Sequence, residues 1–169
     1  MSEYETLITS LALTMGASWA SGINLYAVLL VLGIGSATNN IQLPTELSVL
    51  ENPFVIGAAG IMYTIEFFMD KIPGLDSVWD SIHTFIRIPA GALLAVGTVG
   101  DVTPALEIAA GILGGSVAAT SHATKAGTRL MLNTSPEPVS NWTASISGDF
   151  LVLGGLWTAL NHPIFFLIL

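Results

Sequence analysis

The hydrophobic positions of this chain fall in long blocks, with neither the strict alternation of a strand nor the narrow stripe of a soluble surface helix. The first block runs from about Leu7 to Gly35, interrupted only by the small, polar patch GASWASGIN at residues 16–24. A polar loop, SATNNIQLPTELSVLENP, follows, and a second block runs from Phe54 to about Phe68. The charged segment EFFMDKIPGLDSVWDSIHTFIR, residues 66–87, overlaps its end and leads into a third apolar run, IPAGALLAVGTVG. A fourth, ALEIAAGILGGSVAATSHATKAGTRLML, starts after Thr103-Pro104. Beyond the breaker NTSPEPVSN, a fifth runs from Asp149 to Leu169. About 20 mostly apolar residues span a bilayer. The pattern therefore predicts an all-α integral membrane protein, one transmembrane domain over 1–169, with about five helices near 7–35, 53–70, 82–100, 104–131 and 149–168.

Two of these spans are short. Ile88 to Gly100 holds thirteen residues, about 20 Å at 1.5 Å each, against a hydrocarbon core about 30 Å thick. Either this segment does not cross, or its helix extends back through Ile82 and draws His83 and Arg87 into the membrane. Residues 75–88 then form an amphipathic or partly embedded helix. The fourth block has the same deficit and crosses only by carrying His122 and Lys125 below the headgroups.

Composition agrees. The chain is 52% hydrophobic and 9% charged, with no cysteine, where a soluble domain carries about 25% charged residues. Disulfides and thiol chemistry are excluded. MSEYETLITS lacks the basic n-region of a signal peptide, so the first block is expected to be retained. The formal net charge of −8 comes with no basic patch, which argues against nucleic acid as a partner. The expected partners are the lipid bilayer and further copies of the chain, in a homo-oligomer. All four basic residues, Lys71, Arg87, Lys125 and Arg129, fall on one side of a five-span arrangement. The positive-inside rule makes that side, and the N-terminus, cytoplasmic, in a multi-pass protein of the cell membrane.

Five spans also suit a 2+1+2 inverted repeat. GINLYAVLL is similar to GTRLMLN, pairing Asn24 with Arg129, and PFVIGAAG is similar to DFLVLGG; chance likeness between glycine-rich runs competes with that reading. Transporters built this way place substrate where helices are interrupted near the midplane, here near Gly16–Asn24 and Gly111–Gly127.

The candidate chemistry gathers around the charged segment. Asp76, Asp80, His83 and Arg87 recur at i, i+4, i+7 and i+11, one helical face, and Glu66 and Asp70 share another. Pro73-Gly74 breaks the chain between them. Carboxylates with an imidazole, here Glu66, Asp70, Asp80 and His83, suit a divalent cation, the only cofactor this set would hold, or a proton relay. A solvated amphipathic helix on the membrane surface explains the same spacing. Glu66, set among Tyr63, Ile65, Phe67 and Phe68, resists that explanation, because an intramembrane carboxylate costs about 2.5–3.5 kcal/mol unless partnered.

His122, Lys125 and Arg129 form a cationic stripe at i, i+3, i+7 on the fourth helix. Counting Lys71, Arg87, Lys125 and Arg129 against Glu66, Asp70, Asp76 and Asp80 gives a neutral cluster. It reads as a structural ion-pair network, as a site whose charges exchange partners, or as both. Gly111, Gly115 and Ala119 form a small-xxx-small stripe for close helix packing. Asn24 and Tyr26 lie at the interruption of the first helix. Glu137, in the SPEPVSN turn, hangs near Lys125 and Arg129. Two glycosylation patterns, at Asn133 and Asn141, lie on the expected cytoplasmic side and are read as chance. No catalytic triad, phosphate-cradling loop or HExxH pattern occurs, so nothing requires catalysis.

EFFMDKIPGLDSVWDSIHTFIR, with IPAGALLA after it, then KAGTR and NTSPEPVSN, resembles the membrane family catalogued as domain of unknown function 4126. The likeness covers nearly the whole chain, and its motif residues match at Glu66, Asp70, Lys71, Pro73, Asp76, Trp79, Asp80, His83 and Arg87. Many relatives resemble GLRxYLP in the first helix, where this chain reads GINLYAV. Asn24 replaces that arginine, and with it any anion binding that an arginine would supply there.

The expected function is a small membrane transporter or channel with a charged, cytoplasm-facing cavity, carrying an inorganic cation, a proton or a small anion. Two alternatives stand beside it. One is a lipid-phosphate-handling protein or enzyme using Lys125 and Arg129. The other is a structural or assembly subunit.

Overall fold

A computed structural model describes residues 3–134 and 138–169. Among these residues six helices follow one another: α1 Glu3–Ala37, α2 Pro53–Met69, α3 Leu75–Val99, α4 Pro104–Leu132, α5 Pro138–Asn161 and α6 Pro163–Ile168. The loop after α1 holds a 3-10 segment, Thr45–Glu51, that buries Leu47 and Leu50; the apolar content of that polar-looking loop is what anchors it.

Among the described residues, three helices are long and apolar enough to cross a membrane: Tyr4–Ala37, Leu75–Val99 and Val139–Asn161. The 3-10 segment and α2, bent 67° to one another, make a fourth if they count as one broken span. The protein is a helical membrane protein. α4 falls outside this set although it is 29 residues long, because hydroxyls, an imidazole and two cations interrupt its hydropathy.

Several boundaries differ from the sequence expectation. The third helix starts at Leu75, so the amphipathic segment and the short apolar run are one 25-residue helix. That is about 37 Å long, which removes the length deficit. Pro89 lies inside it without ending it. The fifth helix starts at Pro138, eleven residues before the apolar run at Asp149, because Asn141 and Ser145 turn inward and are buried. It stops at Asn161, since Pro163 cannot continue it and opens α6 instead.

α1 is the central post. Leu13, Ala17, Ala20, Leu25, Val28 and Leu32 form the core with Leu94 of α3 and Val152 and Leu156 of α5. The outer surface is greasy, with Phe54 88% and Phe85 83% exposed, as lipid contact requires.

The approach of α1, α3 and α4 depends on small residues. A Cβ on Gly91 would collide with Ala118 Cβ and lie 2.7 Å from Ser21 Oγ. One on Gly114 would collide with Ala95 Cβ and lie 2.8 Å from Ser18 Oγ. Gly111 and Gly115 face Val96 and Ala92 of α3, so that stripe packs within the chain. α5 leans on α1 and barely meets α4. A gap remains between them.

Candidate functional site

α1 is broken. Asn24 has φ −147° and ψ 90°, outside the helical region. Its Oδ1 accepts the Ala27 N–H at 3.0 Å, so the side chain caps the second half of the helix. Its Nδ2 donates to Asp149 Oδ1 of α5 at 2.9 Å. The first half ends with carbonyls that have no intrahelical partner, a costly state away from water. α4 supplies the partners. Ser121 Oγ donates to Trp19 O at 2.8 Å and Lys125 Nζ donates to Ile23 O at 2.9 Å; His122 Nδ1, 3.3 Å from Gly22 O, donates to it only when the ring is protonated. A cation at this negative end of a helix is electrostatically well placed.

The same Lys125 opens onto the carboxylates. Its Nζ lies 2.9 Å from Asp70 Oδ2, 3.3 Å from Glu66 Oε1 and 3.6 Å from Asp80 Oδ1. Arg87 NH2 meets Glu66 Oε1 at 2.6 Å and its NH1 meets Asp80 Oδ1 at 2.8 Å. Arg129 binds Asp70 Oδ2 at 2.8 Å and Asp76 Oδ2 at 3.3 Å, and its Nε lies 3.5 Å from Asp80 Oδ2. Glu66 and Arg87 are fully buried, and Asp70, Asp76, Asp80 and Arg129 nearly so. Three helices thus interlock through one network, as their spacing in the sequence indicated. Gly74, with φ +88°, makes the turn that allows it; a β-carbon is disfavoured there.

The histidines flank the network. His83 Nδ1 lies 2.9 Å from Trp79 O and therefore donates, which leaves Nε2 to accept from the Tyr26 hydroxyl at 3.0 Å. The Thr84 hydroxyl spends its proton on Asp80 O, so it accepts from His122 Nε2 at 2.7 Å. His122 Nδ1 then accepts from Arg87 NH1 at 3.2 Å when the ring is neutral. Asn133 Nδ2 donates to Asp76 Oδ1, and Asn141 Nδ2 to Asn133 Oδ1, extending the network to α5.

Two expectations need correction. Among the described residues, Lys71 does not join the ion pairs. Its Nζ donates to Phe67 O at 2.9 Å and Ser145 Oγ at 3.3 Å and sits 2.9 Å from the Phe67 ring centre. Burial pushes this ammonium below the ordinary lysine range, against the pull of Asp149 and Asp70. The proposed metal set of Glu66, Asp70, Asp80 and His83 is not assembled either. Among the described residues, no three His, Asp or Glu side chains stand in a ligating group, because guanidinium and ammonium groups lie between the carboxylates and His83 faces Tyr26. Glu137 lies outside the described residues.

Asp149 is the functional candidate that sequence reasoning missed. It reads as the first residue of an apolar run, and only the fold carries it to Asn24. Including it, five carboxylates (Glu66, Asp70, Asp76, Asp80, Asp149) face the chain's four Lys and Arg residues. With Lys71 turned aside onto Phe67 and Ser145, the ion-paired cations are Arg87, Lys125 and Arg129, so carboxylates outnumber them. Glu66 Oε2, Asp70 Oδ1 and Asp80 Oδ2 are buried without a hydrogen-bond partner among the described residues, the last lying 3.5 Å from Arg129 Nε.

The gap between α4 and α5 is a groove of about 640 Å³. Asn24, Asp70, Lys125, Arg129 and Asp149 lie on its polar part, and Trp19, Ile23, Leu113, Val117 and Leu151 on its apolar part.

No curated protein and no solved structure matches the chain. A family model described as Domain of unknown function (DUF4126) matches residues 11–169, a stretch that holds every residue of the network, and the chain belongs to that family.

Proposed function

We propose that the protein is a small transporter or channel for a monovalent cation or a proton. The broken first helix carries this reading. At Asn24 the helix is interrupted inside the protein, and Lys125, which caps its carbonyls, is shared with three carboxylates. A discontinuous helix beside buried ionisable groups is how membrane transporters hold an ion near mid-depth. The excess of carboxylates over ion-paired cations fits a positively charged substrate. Anions fit less well: Lys125 and Arg129 are already engaged by Asp70, Asp76 and Asp80, which also weakens a lipid-phosphate role.

In this reading the chain crosses the cell membrane five times, in a 2+1+2 order, with α4 crossing because its polar groups face the groove and α3. The N-terminus lies in the cytoplasm and the cavity faces that side. Glu66 and Asp149 exchange the transported charge, and copies of the chain assemble into a homo-oligomer through the greasy outer faces.

Reconstitution into liposomes holding a pH-sensitive dye tests the reading, with a potassium diffusion potential as the driving force and sodium or potassium gradients in parallel. Wild-type vesicles should move protons or alkali ions well above protein-free vesicles. Asp149→Asn, which keeps a partner for Asn24, should slow that flux at least tenfold, and Glu66→Gln should do the same. Flux equal to that of protein-free vesicles for every ion, from protein that elutes as a single species, would remove the proposal.

A further inference from the structure

The groove between α4 and α5 has a chemical bias along its length. Ser116, Thr120, Thr124 and Thr128 all line it. Each donates its hydroxyl proton to the carbonyl four residues earlier, at 2.7, 2.9, 2.9 and 2.8 Å. Those protons are spent, so the ladder offers the groove only oxygen lone pairs. It extends about 18 Å, at 1.5 Å per residue.

Most of the donors at the polar end are engaged too. Lys125 is committed to Ile23 O, Glu66 and Asp70, and Arg129 to Asp70 and Asp76. Asp70, only 4% exposed, has an Oδ1 with no partner, and Asp149 holds a single hydrogen bond, from Asn24. An anionic headgroup finds few unspent donors there, one Arg129 N–H and the hydroxyls of Ser145 and Ser147, whereas an ammonium finds acceptors along the whole groove. The remaining wall, with Ile23, Leu113, Val117 and Leu151, excludes a bare hydrated ion from most of the volume. A cavity of this size suits a small organic molecule.

We propose that this groove binds a primary alkylammonium, its N–H donors on Asp149, Asp70 and the threonine ladder and its alkyl chain along the apolar wall. The proposal rests on the cation reading above, and narrows it to a substrate class with both hydrogen-bond donors and an apolar tail.

The test uses the full chain in phosphatidylcholine nanodiscs, whose headgroups carry no N–H donors. Octylamine at neutral pH, octanoate and octyltrimethylammonium are compared by equilibrium dialysis, with protein-free nanodiscs subtracted. Octylammonium should bind saturably and at least tenfold more tightly than either of the others. Asp149→Asn should weaken it about tenfold and Thr124→Val about threefold. Thr124 is exposed, so its variant folds even if the Asp149 variant does not. Equal binding of the three amphiphiles, or wild-type affinity in Thr124→Val together with folded Asp149→Asn, overturns the site. Selective octylammonium binding without ion flux keeps the site and removes transport. Ion flux without octylammonium selectivity removes the site and keeps transport.

Discussion

Arg87 and Lys71 are both buried and both cationic, yet they stand in opposite circumstances. Arg87 holds Glu66 and Asp80 in a two-sided fork, and removing it would leave both carboxylates short of charge inside the protein. Breaking such a pair costs about 3–5 kcal/mol, so Arg87→Met should unfold at a much lower temperature than wild type in the same detergent. Arg87→Lys should recover only part, since an ammonium cannot reproduce the planar fork. Lys71 contacts a carbonyl, a hydroxyl and an aromatic face, with no carboxylate in contact among the described residues. Lys71→Met should leave the midpoint unchanged or raise it by a few degrees. The linkage has a definite sign. Because burial depresses the folded-state value below the ordinary 10.5, the unfolded chain binds the proton more tightly. Wild-type stability should therefore rise with pH between the depressed value and about 10.5, relative to Lys71→Met, which lacks the group. A midpoint difference that is flat over that window contradicts the burial argument.

At the scale of the elements, close packing of α1, α3 and α4 rests on glycine where a methyl group has no room. Gly91→Ala must push Ala118 and Ser21 away, and overpacking of this kind costs about 1–3 kcal/mol. Gly57→Ala meets nothing within 4 Å and should instead stabilise α2 by about 0.5–1 kcal/mol, through the helix preference of alanine over glycine. Thermal unfolding of the two variants, side by side, should move in opposite directions. The α3–α4 contact was readable from the chain, because small residues recurred at four-residue spacing in ALEIAAGILGGS and the charged faces had helical periods. The length deficit of Ile88–Gly100 likewise pointed to a helix reaching back through His83. What the sequence hid was long-range or directional. Asn24 and Asp149 are 125 residues apart, and nothing near either marks the other as partner. Lys71 had the right charge to balance the cluster, but an aromatic neighbour four residues earlier turned it aside. The early start of α5 was hidden because Ser140–Gly148 is polar. Its inward-facing residues serve a network instead of an apolar core.

The whole molecule presents two kinds of outer surface, and the cysteine-free chain allows them to be told apart by single thiols. Phe85 and Ile108 are apolar and 83% and 64% exposed, as side chains facing lipid are. Thr120 and Thr128 are also exposed, but they line the groove beside Lys125, Arg129 and Asp149. If α4 crosses the bilayer with this face toward lipid, all four positions sit in hydrocarbon and an impermeant thiol reagent reaches none of them. If the groove is hydrated, Thr120→Cys and Thr128→Cys react while Phe85→Cys and Ile108→Cys do not. Charge adds a second readout. An excess carboxylate in a low-dielectric surround raises the local concentration of cations over anions, so a cationic methanethiosulfonate should modify Thr128→Cys at least tenfold faster than an anionic one of similar size. Asp149→Asn in the same background should narrow that ratio toward unity. Equal rates for the two reagents at Thr128→Cys, or a Thr120→Cys no more reactive than Ile108→Cys, would mean that the gap between α4 and α5 is filled by lipid and conducts no charge.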